Sequence, residues 1–250
     1  MNLTAIRTVA IIQARMTSTR LPGKVMMPLA GAPLILRMLE RVKRIKGLDA
    51  VCLAVPEGNV HEPLIQIVPE HVEVFRGDEQ DVLKRTHDAA YYMKADAIMR
   101  ITSDCPLIDP EVSSTVLKGF LNSDVSYART SINSGYPHGF DTEVFSMAAL
   151  NLANNKAQKK YEREHVTPFI RQKPEFFRAV EVDFWPNRRF WRLTVDTKDD
   201  YELVSQIYDR LYANKPFFGF TDLEKLFDAE PDLLDINQKS VQDTSPIFLG

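Results

Sequence analysis

The residues best suited to chemistry gather near the start of the chain, where Arg15, Arg20 and Lys24 place three cations within ten residues. They belong to the stretch Ile11-Ile12-Gln13-Ala14-Arg15-Met16-Thr17-Ser18-Thr19-Arg20-Leu21-Pro22-Gly23-Lys24. It opens as an apolar strand, Thr8 to Gln13, and then turns polar. Thr17, Ser18, Thr19, Pro22 and Gly23 cannot extend a strand, but their hydroxyls and backbone N–H groups suit an anion. Arg contributes forked donors and Lys a compact point charge. A strand that ends in such a loop, with a helix soon after, reads as a triphosphate grip. The plainer alternative is a surface loop with solvated charges.

Two carboxylates stand out next. Asp104, in Arg100-Ile101-Thr102-Ser103-Asp104-Cys105-Pro106, ends an apolar strand. It points where phosphates held by the Arg15 loop would lie. Mg²⁺ in such sites takes one or two carboxylates, phosphate oxygens and several waters. A turn former or helix cap is the competing role. Asp196, in Leu193-Thr194-Val195-Asp196-Thr197, ends a second apolar run just before a helix.

The elements that must position these groups follow from periodicity. Pro33 opens a helix to about Lys46, with Ile35, Met38, Leu39, Val42 and Ile45 at helical spacing. Ala50–Val55, Val72–Phe75 and Ala97–Ile101 read as buried strands. Helices follow at Val60–Val68, after Asp81 and after Asp109-Pro110. This fourfold βα order is that of a parallel sheet covered by helices on both faces. Ligands of such sheets bind beyond the carboxyl ends of the strands. The Arg15 loop, the Asp78 loop and the Asp104 turn all lie at that edge. The second half is less regular. Val125–Arg129, Thr142–Phe145, Phe177–Phe184 and Trp191–Val195 read as strands, and Met147–Asn154 and Arg163–Arg171 as helices. Thr197 caps a long helix with Asp199 and Asp200 in its first turn. A short helix, Asp222 to Phe227, leads into a polar tail expected to be loosely held.

The whole chain sets broad limits. Its 250 residues suffice for one domain, or one domain with a small lobe. A net charge of −3 argues against a general nucleic-acid binder. Residues 1–46 hold nine Lys/Arg and one acid, Glu40, so the remainder is acidic. The N-terminus lacks the apolar segment of a signal peptide, and no apolar run is long enough to span a bilayer. Cys52 and Cys105 show no metal-type spacing and fit reduced thiols in a cytoplasm.

The string A-R-x-x-S-T-R-L-P-G-K resembles the signature of the SpsF-like cytidylyltransferases, relatives of the CMP-Kdo and CMP-sialate synthetases. The turn at Asp104 is similar to their metal-binding N-x-Q-G-D-x-P turn, and Val195-Asp196-Thr197 to their V-D-T-x-x-D string. The pattern G-x-x-x-D-V-L-x-R recurs from Gly77 to Arg85, and Tyr161-Glu162-Arg163-Glu164-His165-Val166-Thr167-Pro168 is a further SpsF-like string. The likeness covers most of residues 8–212. It implies an α/β, Rossmann-like three-layer nucleotidyltransferase (GT-A-like) fold with a mostly parallel central sheet and a smaller acceptor/dimerisation lobe. The nucleotidyltransferase domain would span 1–215, with its nucleotide half at 1–125 and acceptor and dimerisation elements at 126–190. Residues 216–250 would form an extension.

The resemblance also implies a Mg²⁺ site at Asp104 and Asp196. It implies a catalytic set of Arg15, Lys24 and Asp104, and a nucleotide site of Ala14, Arg15, Ser18, Arg20, Lys24, Asp78, Arg85, Thr102 and Asp104. Two departures are visible. Thr102 replaces a Gln that touches the base, which loosens the case for CTP, and Cys105 replaces an acid. For the acceptor, the loop Ser134–Gly139 and the strand start after it offer His138, Asp141 and Glu143. His165 is a candidate proton shuttle or a structural histidine, and Arg192 a candidate for an acceptor charge. The expected partners are CTP and a small sugar-like acceptor, in a cytoplasmic homodimer without nucleic acid or membrane.

Other classes fit less well. The chain has neither the G-x-G-x-x-G of dinucleotide enzymes nor the G-x-x-x-x-G-K-[ST] of P-loop NTPases. The D-x-D triplet of GT-A glycosyltransferases is also absent. A non-catalytic nucleotide-binding protein would have little use for two carboxylates aimed at a triphosphate loop. The expected reaction is attack of an acceptor oxygen on the α-phosphorus of CTP, with pyrophosphate leaving.

Overall fold

A computed structural model describes residues 6–130 and 135–239. Ser134 of the acceptor loop and residues 240–250 of the tail lie outside the described residues. The chain runs β1 (Thr8–Gln13), a small hairpin of β2 (Pro28–Leu29) and β3 (Ala32–Pro33), α1 (Leu34–Val42), β4 (Ala50–Pro56), α2 (Glu62–Gln66), β5 (Glu73–Gly77), α3 (Val82–Tyr92) and β6 (Ala97–Thr102). It continues through α4 (Pro110–Leu121), β7 (Tyr127–Thr130), β8 (Glu143–Ser146), α5 (Met147–Lys156), α6 (Lys160–His165), α7 (Pro168–Arg171), β9 (Ala179–Val182), α8 (Lys198–Leu211) and α9 (Phe220–Ala229).

Seven strands form one sheet in the order β5-β4-β1-β6-β8-β7-β9. All six residues of β1 are buried, as expected for a central parallel strand covered on both faces. Beneath one face lie Ile35, Met38, Leu39 and Val42 of α1 with Val116, Leu117 and Phe120 of α4. The other face carries Leu83, Ala89 and Ala90 of α3 and Ala149, Leu150 and Ala153 of α5. Asp81 caps α3 by accepting Lys84 N–H at 2.9 Å, and Asp109 caps α4 through the N–H groups of Glu111 and Val112.

The order of the strands decides where a ligand can bind. From β1 the chain builds outward to β4 and β5, and then returns to lay β6 on the other side of β1. The crevice between β1 and β6 is therefore the switch point of the sheet. Both strands end in register, Gln13 opposite Thr102, so the Arg15 loop and the Asp104 turn start side by side. Beyond β6 the sheet continues with β8 antiparallel to β6 and to β7, and with β9 parallel to β7.

Three expectations are corrected here. Among the described residues Trp191–Val195 pairs with no strand of the sheet, and a single isolated bridge joins Arg192 to His138. Its apolar residues Trp191, Leu193 and Val195 pack instead with Leu203, Val204 and Ile207 of α8 and with Phe218, Phe220 and Phe227 around α9. The helix read as Arg163–Arg171 is two short helices, broken at Val166, whose φ of 69° is not helical; Pro168, which has no N–H to continue the first helix, opens the second at its first position. The tail is not loose as far as Lys239. Leu233 is buried, and the Asn237 amide donates to the Arg192 carbonyl and to Asp200, both at 2.9 Å. Among the described residues, no helix is long and apolar enough to cross a membrane.

Candidate active site

The Asp104 turn and the segment before α8 are bound together by backbone. Val195 N–H and the Thr194 hydroxyl both donate to the Asp104 carbonyl, at 2.7 and 3.0 Å. On its other side this segment meets the acceptor loop, where Leu193 N–H donates to the His138 carbonyl at 2.7 Å. Gly139 makes that approach possible. Its φ of 111° is a glycine conformation, and a Cβ there would lie 2.5 Å from the Leu193 carbonyl carbon. These contacts bring Asp196 beside Asp104.

Lys24 joins the two carboxylates. Its Nζ donates to Asp104 Oδ2 at 3.2 Å, Asp196 Oδ1 at 3.0 Å and the Val195 carbonyl at 2.7 Å. The left-handed Gly23 (φ 70°) turns the chain so that Lys24 points inward at the start of a short 3₁₀ turn. Burial alone would lower the Lys24 pKa, but the charges of Asp104 and Asp196 outweigh it and hold the ammonium above its usual value. Burial would likewise raise Asp104, yet Lys24 and the hydrogen bonds of Thr102 and Lys24 keep it well below the usual carboxylate range. The expectation that Lys24 sits on a solvent-facing loop is therefore corrected, because it is only 7% exposed. The two carboxylates are not bare either, since the ammonium already separates them.

Asp196 is the hub of a larger network. Its Oδ2 also accepts from Arg20 at 2.9 Å and from Arg192 at 3.0 Å. Arg192, expected at the acceptor, is instead 4% exposed and paired with Asp200 at 2.9 Å. Asp200, read as a charge in the first turn of the helix, stands there and has no exposure. It accepts the N–H groups of Asp196 and Thr197 while Thr197 caps α8. The cause of both burials is the same. A buried guanidinium needs a carboxylate, and the first turn of α8 supplies one.

Two cavities meet at this centre. The larger, about 390 Å³, is lined by Gln13, Ala14, Arg15, Ser18, Lys24 and Arg85, among others. The smaller, about 240 Å³, is lined by His138, Asp141, Glu143, Arg100, Arg129 and Arg171, among others. Arg20, Thr102, Asp104, His165 and Asp196 line both. The expected nucleotide residues thus share one cavity, with one exception. Asp78 lines neither; its carboxylate closes a turn by accepting the N–H groups of Gln80 and Asp81. Its carbonyl instead takes the guanidinium of Arg85. Arg85 is not a solvated helix charge: it is 2% exposed, and burial together with Arg15 pulls its pKa down to about 10.

The acceptor candidates other than Arg192 share the smaller cavity. His138 Nδ1 lies 2.8 Å from Asp141 Oδ2, and that carboxylate raises the imidazole pKa against the effect of burial. Glu143 is committed to Arg100 at 2.6 Å and to the Tyr127 hydroxyl. His165 stacks near Tyr161, ring centroids 4.7 Å apart, and burial with nearby Arg100 and Arg171 lowers its pKa. The string that carries it is pinned by Arg163, whose guanidinium pairs with Asp81 at the cap of α3.

Sequence reasoning named Arg20 but missed Arg100, Arg129 and Arg171 of this cavity. Arg100 is a cation inside the apolar strand Ala-Ile-Met-Arg-Ile-Thr, a signal that was available. Arg20, Arg100 and Arg129 are paired with Asp196, Glu143 and Glu181. Arg171 forms no ion pair among the described residues, and its Nε is buried without a partner. Nothing in its local sequence marks it.

Comparison with known proteins identifies the family. A family model described as Cytidylyltransferase matches residues 9–229. The spore coat polysaccharide biosynthesis protein SpsF of Bacillus subtilis is 32% identical over 230 residues, 89% of this chain and 94% of that protein. A 3-deoxy-manno-octulosonate cytidylyltransferase of Parabacteroides distasonis is 28% identical over 170 residues, 66% of each chain. The solved structure of a cytidylyltransferase from Leptospira borgpetersenii superposes with a TM-score of 0.87 at 31% identity, covering 92% of this chain and 97% of that one. With a family match across most of its length and a seven-stranded, mostly parallel sheet to carry the paired cavities, this chain belongs to the cytidylyltransferases.

Proposed function

We propose that the chain transfers CMP from CTP to a hydroxyl of an acidic or otherwise polar sugar, for surface-polysaccharide synthesis, and releases pyrophosphate. The observation that carries this reading is the wall shared by the two cavities, Arg20, Thr102, Asp104, His165 and Asp196. A triphosphate in the larger cavity would present its α-phosphorus at that wall, and an acceptor in the smaller one would meet it there. The acceptor oxygen bonds to the α-phosphorus, the bond to the β-phosphate oxygen breaks, and the acceptor hydroxyl gives up its proton.

The residues fit a magnesium ion. Asp104 and Asp196 converge on one cation position, that of the Lys24 ammonium, and their all-oxygen donor set suits a hard cation. No cluster of three acidic, His or Cys side chains exists among the described residues, so the remaining ligands would be phosphate oxygens and water. Asp104 and Asp196 would hold the Mg²⁺, which would supply charge neutralisation at the transferring phosphate. Arg15 and Arg20 would supply fixed positive charge to the triphosphate, and Lys24 adds its own at the two carboxylates. His138, Asp141 and Thr194 offer polar contacts to sugar hydroxyls. Arg171, which lines the smaller cavity and makes no ion pair at bonding distance among the described residues, favours an acceptor that brings its own negative charge.

The test is pyrophosphate release from CTP, UTP, ATP and GTP against a panel of neutral and carboxylated sugars. CTP is expected to exceed either purine nucleotide by at least about 10²-fold in kcat/KM, well within the roughly 10⁴-fold or more that a site built on hydrogen bonds to its substrate can supply. A preference for GTP or ATP overturns the assignment, and Thr102 is then the first residue to reconsider.

A further inference from the structure

One fully buried histidine lies outside the machinery described so far. His61 ends the 3₁₀ turn Asn59–His61 that follows β4, and it has no exposed surface. Its Nδ1 accepts the backbone N–H of Met16 at 3.2 Å, directly after Arg15. The Met16 carbonyl in turn accepts Gly23 N–H at 3.0 Å, just before Lys24. Both polar groups of residue 16 are thus used, one to close the loop on itself and one to fasten it to the turn that follows β4. The Thr17 hydroxyl adds a bond to Glu79 at 2.5 Å.

We infer that His61 is a positioning residue for nucleotide binding: its unprotonated Nδ1 holds the Met16 peptide, and through it Arg15 and the loop to Lys24, in the shape that receives a triphosphate. The inference rests on the nucleotide reading above. An Nδ1 acceptor requires the proton on Nε2, and that nitrogen is buried with no hydrogen-bond partner. An unmatched buried donor is costly, so the ring is poorly suited to this place except for the acceptor it presents to the loop.

The groups that face the ring make the arrangement sensitive to protons. They are Glu79 ahead of α3, Arg85 on α3, Arg15 on the loop and Arg76 on β5. Burial first, and then the three arginines against Glu79, hold the imidazole pKa below its ordinary value. Protonation would remove the acceptor from Met16 and place a fourth cation among the arginines. With the folded pKa depressed, the loop's tether is complete above the ordinary imidazole range and is lost as pH falls through the lower, folded value.

Calorimetric titration of the full chain with CTP and Mg²⁺ tests this, using His61→Leu and His61→Asn. Leu fills the space without an acceptor; Asn places a carbonyl oxygen near the Nδ1 position and does not titrate. His61→Leu should weaken CTP about tenfold, the scale of one lost hydrogen bond. His61→Asn should bind within about threefold of wild type near pH 7.5, and over a series of falling pH carried well below the ordinary imidazole range it should lose less affinity than wild type. Titration of CTP itself is common to all three proteins. Wild-type affinity in His61→Leu, or an unchanged acid loss in His61→Asn, overturns the inference. If the Leu variant does not fold, the Asn profile decides alone. A wild-type chain that binds another nucleotide in place of CTP contradicts the CTP reading, and the same comparison is then made with that nucleotide.

Discussion

Asp104→Asn is expected to lower kcat by roughly 10³-fold, Asp196→Asn by a similar factor, and the double variant to be scarcely worse than either. The reason is geometric. Two carboxylates 92 residues apart in sequence bond to the same ammonium nitrogen, at 3.2 and 3.0 Å, on the wall between the two cavities. Groups that hold one cation act as a unit, so losing either loses the function of both. The competing role for Asp196, as a cap worth about 1 kcal/mol, is taken by its neighbour: Thr197 accepts the Asp200 N–H at the start of α8. Steady-state rates for the three variants check the expectation. Either single variant within about threefold of wild type, or an additive double, would contradict a shared site.

Lys24→Ala should fail differently, losing stability as well as turnover. Removing a buried partner that satisfies two carboxylates and a carbonyl leaves like charges facing each other, a loss of about 3 kcal/mol. Arg20 and Arg192 still hold Asp196, which keeps the loss at the lower end for buried pairs. Mg²⁺ should offset part of it by replacing the missing cation, so the melting temperature of Lys24→Ala should rise more with added Mg²⁺ than that of wild type. A variant that melts with wild type, and ignores Mg²⁺, would show that neither Lys24 nor a metal balances these carboxylates.

How much of this was legible follows the range of the interactions. The four parallel strands and the helices between them carry their burial in local periodicity, and the chemistry-bearing loops sit at strand ends where the fold class puts ligands. The Trp191–Val195 run looks like a strand because it is apolar and extended, but its partners are α8 and the segments around α9, distant in sequence. Arg192 and Asp200 are eight residues apart, and nothing local shows that they are buried together with Asn237, which is 37 residues beyond Asp200. The burial of Lys24 was hidden for a related reason. A loop lysine reads as solvated unless the two carboxylates that draw it inward are known to be adjacent. Arg171 and His61 carry no sequence signal, because their meaning lies in what they face.

The central claim is that the nucleotide occupies the larger cavity and delivers its α-phosphorus to the Asp104–Asp196 wall. The most direct measurement is a crystal structure of the chain with CTP and Mg²⁺. The triphosphate should lie along Arg15 and Arg20, with the metal between the phosphates and the carboxylates of Asp104 and Asp196 and the smaller cavity left open to the acceptor. A triphosphate seated against His138 and Arg171, or a metal bound away from both aspartates, would contradict the account.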